Sequence, residues 1–145
     1  MLSRQASHAL KALLQLAGDP LRWQSTHELA STLQLPEPML EQLLLRLRRA
    51  GVLEARRGRL GGFRLLPPAQ QISVAAVLAA LGEAQASAID PNPEASAADR
   101  VTTALAERLE RARHRALEEL SLEELLFDLR SAEASNDDSS GLLLG

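Results

Sequence analysis

The sequence predicts a mostly α fold: a winged helix-turn-helix domain with a two-stranded β wing, then a long C-terminal dimerisation helix and a short terminal helix. Apolar residues, 46% of the 145, recur at helical spacing, whereas aromatic residues make up only 2%. A segment rich in arginine and glycine separates two short apolar runs, which indicates a hairpin. The predicted boundaries are 1–83 for the winged domain, 84–98 for a linker loop, 99–130 for the dimerisation and terminal helices, and 131–145 for a disordered tail.

The first two helices are predicted from apolar spacing and capping residues. The first ends near Gly18 and has its apolar side at Ala6, Leu10, Leu13, Leu14 and Ala17. Ser25 and Glu28 fit a capping box that opens a short second helix, because each side chain can accept from the other residue's backbone N–H. Leu35-Pro36 then forms the turn.

The third helix, 37–50, is amphipathic and is followed by the hairpin. Its stripe at i, i+3, i+4 and i+7 comprises Leu40, Leu43, Leu44 and Leu47. Pro38 is tolerated in the first turn, and Gly51 suits the left-handed residue after the last turn. Strands are predicted at 52–57 and 63–66.

The C-terminal third is predicted to be helical and to mediate dimerisation. A fourth helix starts at Ser73, and the segment 84–98 is a loop because it is rich in Ala, Ser, Pro and Asn. A long helix runs from about Asp99 to Leu120, and Ser121 opens the short last helix. We expect the apolar stripe of the long helix to form the dimer interface; it comprises Val101, Leu105, Leu109, Ala112, Ala116 and Leu120.

Charge is divided unevenly along the chain, whose net charge is −3. Residues 1–85 have ten basic and six acidic side chains, whereas residues 86–145 have six and thirteen. Seven arginines and a single acid lie in the stretch from Arg46 to Arg64. A basic front and an acidic back predict a polyanionic partner, double-stranded DNA, for the N-terminal half only.

The third helix is the candidate recognition helix, because a major groove admits one helix whose N-terminal turns reach the base edges. Of the residues that project away from the leucines, Gln42 is suited to adenine, Glu41 to the cytosine amino group and Met39 to a thymine methyl group. Arg46 and Arg49 are better placed for phosphates, which fix register without reading sequence.

The hairpin 57–62 is the candidate wing. Its glycines permit positive φ and a close backbone approach. Arg57 and Arg59 are suited to a narrow minor groove, where the potential is most negative. The complete candidate set for DNA binding is Thr26, Pro38, Met39, Glu41, Gln42, Arg46, Arg49, Arg57, Arg59 and Gly61.

Two other interpretations of this surface stay open. A winged-helix module that binds protein rather than DNA would use the same helix and wing as its partner surface. A ligand-responsive regulator would add a pocket beneath the dimerisation helix for a small-molecule or protein effector. An enzyme with catalytic residues is not expected, because the acidic pairs at 118–119 and 123–124 are accompanied by neither a nucleophile nor a phosphate loop.

Composition also limits the kinds of site and location that we expect. The chain has no cysteine, hence no disulfide, zinc-thiolate or cysteine-ligated iron–sulfur site. His8, His27 and His114 share no ligand spacing, so neither a metal nor a cofactor is expected. No apolar run approaches membrane length and no signal peptide is evident, so we expect a cytoplasmic protein without a membrane partner.

In the order of its motifs the chain resembles the IscR-like (Rrf-two) family of bacterial winged-helix transcription regulators. The most specific matches are Leu40-Glu41-Gln42-Leu43, then Leu47-Arg48-Arg49-Ala50-Gly51-Val52-Leu53, then the wing Arg57-Gly58-Arg59-Leu60-Gly61-Gly62-Phe63. The resemblance extends to about Leu129. It implies that Glu41 and Gln42 contact bases and that Arg57 and Arg59 reach the minor groove.

The resemblance further implies a homodimer in which the helix 99–120 crosses its symmetry mate and the last helix packs onto the partner's DNA-binding domain. Such a dimer, a repressor or an activator, would read a pseudo-palindrome with half-sites about 10 base pairs apart. Cluster-binding members have three cysteines in the linker and early dimer helix. Arg100 resembles the last of these and Thr103 the ligand that follows, so the family's cluster is not expected here.

Overall fold

The computed structural model describes residues 2–83 and 93–144. In chain order its elements are α1 (Arg4–Ala17), α2 (Thr26–Leu33), α3 (Glu37–Arg49), β1 (Leu53–Arg56), β2 (Gly62–Leu65), a 3₁₀ turn (Ala69–Gln71), α4 (Val74–Ala80), α5 (Ala97–Glu119) and α6 (Leu122–Leu144). The mostly helical winged fold predicted from the sequence is confirmed.

The helices α1 to α3 form the helix-turn-helix unit, and local capping chemistry sets their bounds. The Ser25 hydroxyl accepts from the Glu28 N–H at 3.1 Å, as predicted. The Glu28 carboxylate pairs with Arg22 at 2.7 Å, which diverts it from the second half of the capping box. Gln34 ends α2 in the left-handed conformation, with a φ of 55°. The turn that follows lets α2 and α3 bury their leucines in one core.

The wing is an antiparallel hairpin that a third segment fixes to the helical unit. Arg56 lies opposite Gly62 at the end of the hairpin nearest its loop. Gln24, in the segment before α2, exchanges two backbone hydrogen bonds with Phe63, at 2.8 and 3.0 Å. Gly62 has a φ of 146°, and a Cβ there would lie 2.4 Å from the Gln24 carbonyl. The base of the wing is therefore held by main-chain contacts that require glycine.

One hydrophobic core joins the winged domain to α6 of the same chain. Leu122 and Leu126 are 1% and 8% exposed within it. The Leu122 N–H donates to the Ile72 carbonyl at 2.8 Å, and the Val74 N–H donates to the Leu120 carbonyl at 2.9 Å. The first turns of α6 thus pack onto the winged domain of their own chain, whereas packing of the last helix onto the partner's DNA-binding domain stays a prediction.

The long helix α5 is capped at its start and has no buried residue along its length. Ser96 and Asp99 form a complete capping box, so α5 begins slightly before the predicted position. Hydrogen bonds from the Ser96 hydroxyl and backbone N–H lower the pKa of Asp99 below its ordinary value, because they favour the carboxylate. Most of the predicted linker loop, residues 84–92, lies outside the described residues.

The last helix is longer than predicted. The sequence predicts a short terminal helix and a disordered tail from residue 131, but α6 continues to Leu144. No proline follows Pro93, and extending a helix whose first turns are already packed adds one hydrogen bond for each residue fixed. The prediction from polar composition therefore made this helix too short. None of the described helices is both long and apolar enough to span a bilayer.

Candidate nucleic-acid interface

The outer face of α3 is determined by its leucine stripe. The buried residues, none more than 3% exposed, are Leu40, Leu43, Leu44 and Leu47. At about 100° per residue, Pro38, Gln42 and Arg49 lie on the opposite side of the helix, and all three are exposed. Glu41 is exposed on the flank next to them. The structure thus brings these candidate residues together on one free face.

Two other candidate residues are less accessible. Met39 is half-buried and packs against the core, which leaves little of its side chain for contact with a thymine methyl group. Thr26 is only 8% exposed and occupies the first position of α2. A helix N-terminus of this kind presents backbone N–H groups that attract phosphate. The position of Thr26 is therefore suited to the DNA backbone and not to a base.

A groove at the junction of α2, α3 and the wing is lined by positively charged side chains. Its lining comprises Ser25, Thr26, Arg48, Ala55, Arg56, Arg57, Gly58, Gly61, Gly62 and Phe63, and its volume is about 270 Å³. Within the described part of the chain, the arginines that form ion pairs are Arg22, Arg64 and Arg113, so no salt bridge neutralises Arg48, Arg56 or Arg57. Arg48 is not among the predicted DNA-binding residues, because its approach to the wing depends on how α3 packs against the hairpin.

Arg46 and Arg49 border a second groove, next to the C-terminal end of α4. This open groove also contains Ala79, Ala80, Leu81 and Gly82, and its volume is about 560 Å³. Arg46 donates to the Leu81 carbonyl at 3.5 Å, and Gln5 donates to the same oxygen at 3.2 Å. Carbonyl groups at a helix C-terminus attract cations. Arg46 is thus partly engaged by the fold, although both arginines are exposed.

The wing loop ends in a tight turn that displays its arginines. The Gly61 N–H donates to the Gly58 carbonyl at 3.1 Å. Gly58 has a φ of 107°, which a residue with a side chain would adopt only with strain. Arg57 and Arg59 are exposed around this turn, whereas Gly61 is half-buried beside the charged groove. The predicted wing residues therefore share one end of the hairpin.

Trp23, in the segment before α2, packs against the wing. The guanidinium carbon of Arg64 lies 4.2 Å from its ring centroid, and that of Arg56 lies 6.0 Å from it. Arg64 also pairs with Glu54 on the neighbouring strand and donates to the Leu21 carbonyl at 3.3 Å. Packing of the indole thus holds the hairpin against the segment before α2.

The predicted dimer stripe of α5 is largely open to solvent in the single chain. Its exposed members are Val101 (69%), Leu105 (53%), Leu109 (63%), Ala112 and Ala116. Leu120 differs from them, because it is half-buried against the core of its own chain. A contiguous apolar row of this kind is unusual on the surface of a monomer and typical of an interaction surface.

One cavity lies between α4 and α5 among the described residues, and it is smaller than the pocket that a ligand-responsive regulator would need. The cavity between α4 and α5 has a volume of about 50 Å³, whereas small-molecule pockets hold roughly 300–1,000 Å³. Its lining includes the polar residues Glu83, Glu110, Arg113 and His114. His114 pairs with Glu118 at 2.7 Å. In this conformation the cavity suits ordered water and not a small-molecule effector.

Comparisons with known sequences agree with this geometry. The profile of the Rrf2 family, described as an iron-dependent transcriptional regulator, matches residues 2–128. A protein of Synechocystis sp. named as an HTH-type transcriptional regulator, slr0846, is 34% identical over 149 residues, and the match covers 99% of each chain. The transcriptional regulator IscR of Cereibacter sphaeroides is 40% identical over 88 residues, which is 57% of this chain and 55% of that protein.

Solved structures share the architecture. IscR of T. potens superposes with a TM-score of 0.74 at 26% identity, covering 91% of this chain and 90% of that one. CymR, the global cysteine regulator of B. subtilis, superposes with a TM-score of 0.73 at 27% identity, covering 87% and 95%. These matches extend beyond the winged domain into the C-terminal helices.

The residues of this chain do not fit an iron–sulfur cluster. Such clusters are held by cysteine thiolates, with histidine as an occasional substitute, and this chain has no cysteine. Across residues 2–83 and 93–144, no three His, Asp or Glu side chains are grouped so that they could hold a metal ion. The described side chains therefore offer no ligand set for such a cluster.

Proposed function

Because this chain belongs to the Rrf2 family of transcriptional regulators, we propose that it acts as a homodimer on a pseudo-palindromic operator in double-stranded DNA. The N-terminal turns of α3 enter the major groove of each half-site, and the wing 57–62 enters the adjacent minor groove. We place this activity in the cytoplasm. It proceeds without a cysteine-ligated cluster, since the chain supplies no thiolate.

The observation that supports DNA docking is the charged groove between α2, α3 and the wing. Arg48, Arg56 and Arg57 border it without a neutralising salt bridge from the described residues. A phosphate in this groove would meet these cations together with the first N–H groups of α2, which fixes the register of the protein on the duplex. In that register Glu41 and Gln42, on the free face of α3, face the base edges.

The open stripe of α5 supports the homodimer. Val101, Leu105 and Leu109 would leave water when a second copy of the chain covers them, and burial of apolar area stabilises association. Ala112 and Ala116 permit a close approach of two crossing helices, because their side chains are small. A two-fold axis at this crossing presents two recognition helices to successive major grooves, about 34 Å or a multiple of that apart.

Selection of duplexes from a randomised pool, followed by mobility-shift measurements, tests this function. We expect an inverted repeat whose half-sites lie about 10 base pairs apart or a multiple of it. Inserting about five base pairs between the half-sites turns one of them to the opposite face of the DNA and should abolish binding by the dimer. No duplex binding even at low salt would instead favour a winged-helix module that binds protein.

A further inference from the structure

The apex of the wing is apolar. Leu60 is 82% exposed, one of the two highest values among the large apolar side chains whose burial the structure describes. Arg59 and Leu60 are the two central residues of the turn that the Gly58–Gly61 hydrogen bond closes. Such positions usually have Gly, Asn, Asp or Ser, which suit turn conformations and water. The leucine side chain therefore has no role in folding the turn.

This apex is presented on a rigid arm. The backbone pair between Gln24 and Phe63 and the stacking of Arg64 on Trp23 fix the base of the hairpin to the helical unit. Leu60 itself does not belong to the hydrophobic core of the described chain. Its side chain is consequently held at the outer end of the arm, where its exposure costs free energy unless a partner covers it.

We propose that Leu60 enters the minor groove and wedges between two base pairs, so that the wing bends the DNA. This inference rests on the proposed function, in which the wing reaches the minor groove. Arg57 and Arg59 are attracted by the negative potential of that groove and bring the leucine to it. Proteins that bind the minor groove commonly insert an apolar side chain between base steps, which kinks the duplex toward the major groove.

A wedge at this position gives the protein a sequence preference at base pairs that it does not hydrogen-bond. Pyrimidine–purine steps such as TA and CA unstack more easily than other steps, so bending them costs less. Insertion of Leu60 therefore raises the affinity for operators that have such a step beneath each wing. This preference adds to the base contacts that Glu41 and Gln42 make from α3.

Measurement of DNA bending tests the wedge. The probe is a duplex that the wild-type chain selects from a randomised pool, labelled at both ends for resonance energy transfer. The wild type is compared with Leu60→Ala and with Leu21→Ala, a matched control that is 80% exposed but lies outside the wing. We expect the wild type and Leu21→Ala to shorten the end-to-end distance equally. Leu60→Ala should leave the duplex straighter and bind about tenfold more weakly, because an apolar side chain is no longer buried.

A second duplex, in which a GG step replaces the pyrimidine–purine step beneath the wing, provides an independent readout. The wild type should lose affinity several-fold on this duplex, and Leu60→Ala should not. Three results would each overturn the wedge. The wild type and Leu60→Ala could bend the duplex equally, they could lose equal affinity on the GG duplex, or Leu60→Ala could change the oligomeric state. If the wild type binds its inverted repeat without bending it, the wedge is wrong but the proposed function stands. If the wild type enriches no duplex, the proposed function is wrong as well.

Discussion

A Cβ atom on Gly61 would lie 2.1 Å from the carbonyl oxygen of Arg56, across the neck of the wing. Gly61 has no positive φ, so the requirement for glycine is one of space and not of backbone conformation. The loop of the wing returns over β1 at a distance that any side chain would prevent. The positions of Arg57 and Arg59 therefore depend on the absence of a side chain at Gly61.

We expect Gly61→Ala to open the neck of the wing and to lower the free energy of unfolding by about 1–3 kcal/mol. Urea denaturation followed by circular dichroism measures this change. Gly18→Ala is the control: a Cβ there has ordinary contacts at 3.5 and 3.7 Å, so stability should stay the same or rise as the unfolded chain loses freedom. Identical midpoints for the wild type and Gly61→Ala would contradict the close contact.

Arg57→Ala and Arg59→Ala should each weaken duplex binding and flatten its dependence on salt. Loss of one phosphate contact lowers the slope of log affinity against log salt by about 0.9. Binding isotherms at several salt concentrations give this slope. Lys11→Ala is the matched control, because Lys11 is an exposed cation on α1 outside the charged groove. A slope that stays at the wild-type value in both arginine variants would show that the wing does not contact the DNA phosphates.

Gln42→Ala should relax the choice of base at one position of each half-site, at a cost of about 1–3 kcal/mol against the preferred base. Because the substitution removes no charge, the salt slope should not change. Glu41→Ala should relax a different position and also raise affinity for unrelated duplexes, since a negative charge leaves the interface. Sequence selection with each variant measures both effects, and an unaltered consensus would exclude base contacts from α3.

Leu105→Lys should convert the proposed dimer to a monomer, because it places a charge within the apolar stripe of α5. Sedimentation or light scattering measures the mass. Glu107→Lys introduces the same side chain about 160° around the helix from the centre of the stripe and should leave the dimer intact. A Leu105→Lys chain of unchanged mass would show that this stripe is not the dimer interface.

Ser96→Ala should raise the pKa of Asp99 toward its ordinary value, because the hydroxyl that hydrogen-bonds the carboxylate is lost. The pKa of Asp99 is lower in the folded chain than in the unfolded one, so the cap stabilises the start of α5 at neutral pH. That contribution declines as the pH falls through the folded-state pKa. Titration of the carboxyl carbon by NMR tests this, and identical curves for the two chains would contradict the capping box.

Relations within a few residues of sequence were predicted well. The leucine stripe and Gly51 predict a helix at 37–50, and the structure has Glu37–Arg49 with Gly51 at a φ of 82°. Ser25 and Ser121 cap the helices that they were expected to open, at 3.1 and 3.3 Å from the N–H groups three residues later. These features depend on helical periodicity and cap stereochemistry, which the local sequence determines.

Relations between distant segments could not be predicted in this way. The stacking of Trp23 on Arg64 and the approach of Arg48 to the wing both depend on how the hairpin folds back over the helical unit. No spacing rule within either segment indicates these contacts. The helical continuation after residue 131 was missed for a related reason, since it starts from a turn that Leu122 and Leu126 anchor in the core.

The paired backbone at the corner between α5 and α6 has a geometric consequence for operator choice. Two hydrogen bonds join Ile72 to Leu122 and Val74 to Leu120, which clamps one end of α5 to the domain that contains α3. These contacts set the orientation of α3 relative to α5 within one protomer. In a dimer formed through α5, the angle between the two recognition helices then depends on this orientation and on the crossing of the two copies of α5. A one-residue slip at this corner would rotate α5 by about 100° and move both recognition helices off their half-sites. In the proposed dimer, an operator with a different half-site spacing would therefore require a change at this corner or at the crossing of α5, even with Glu41 and Gln42 unchanged.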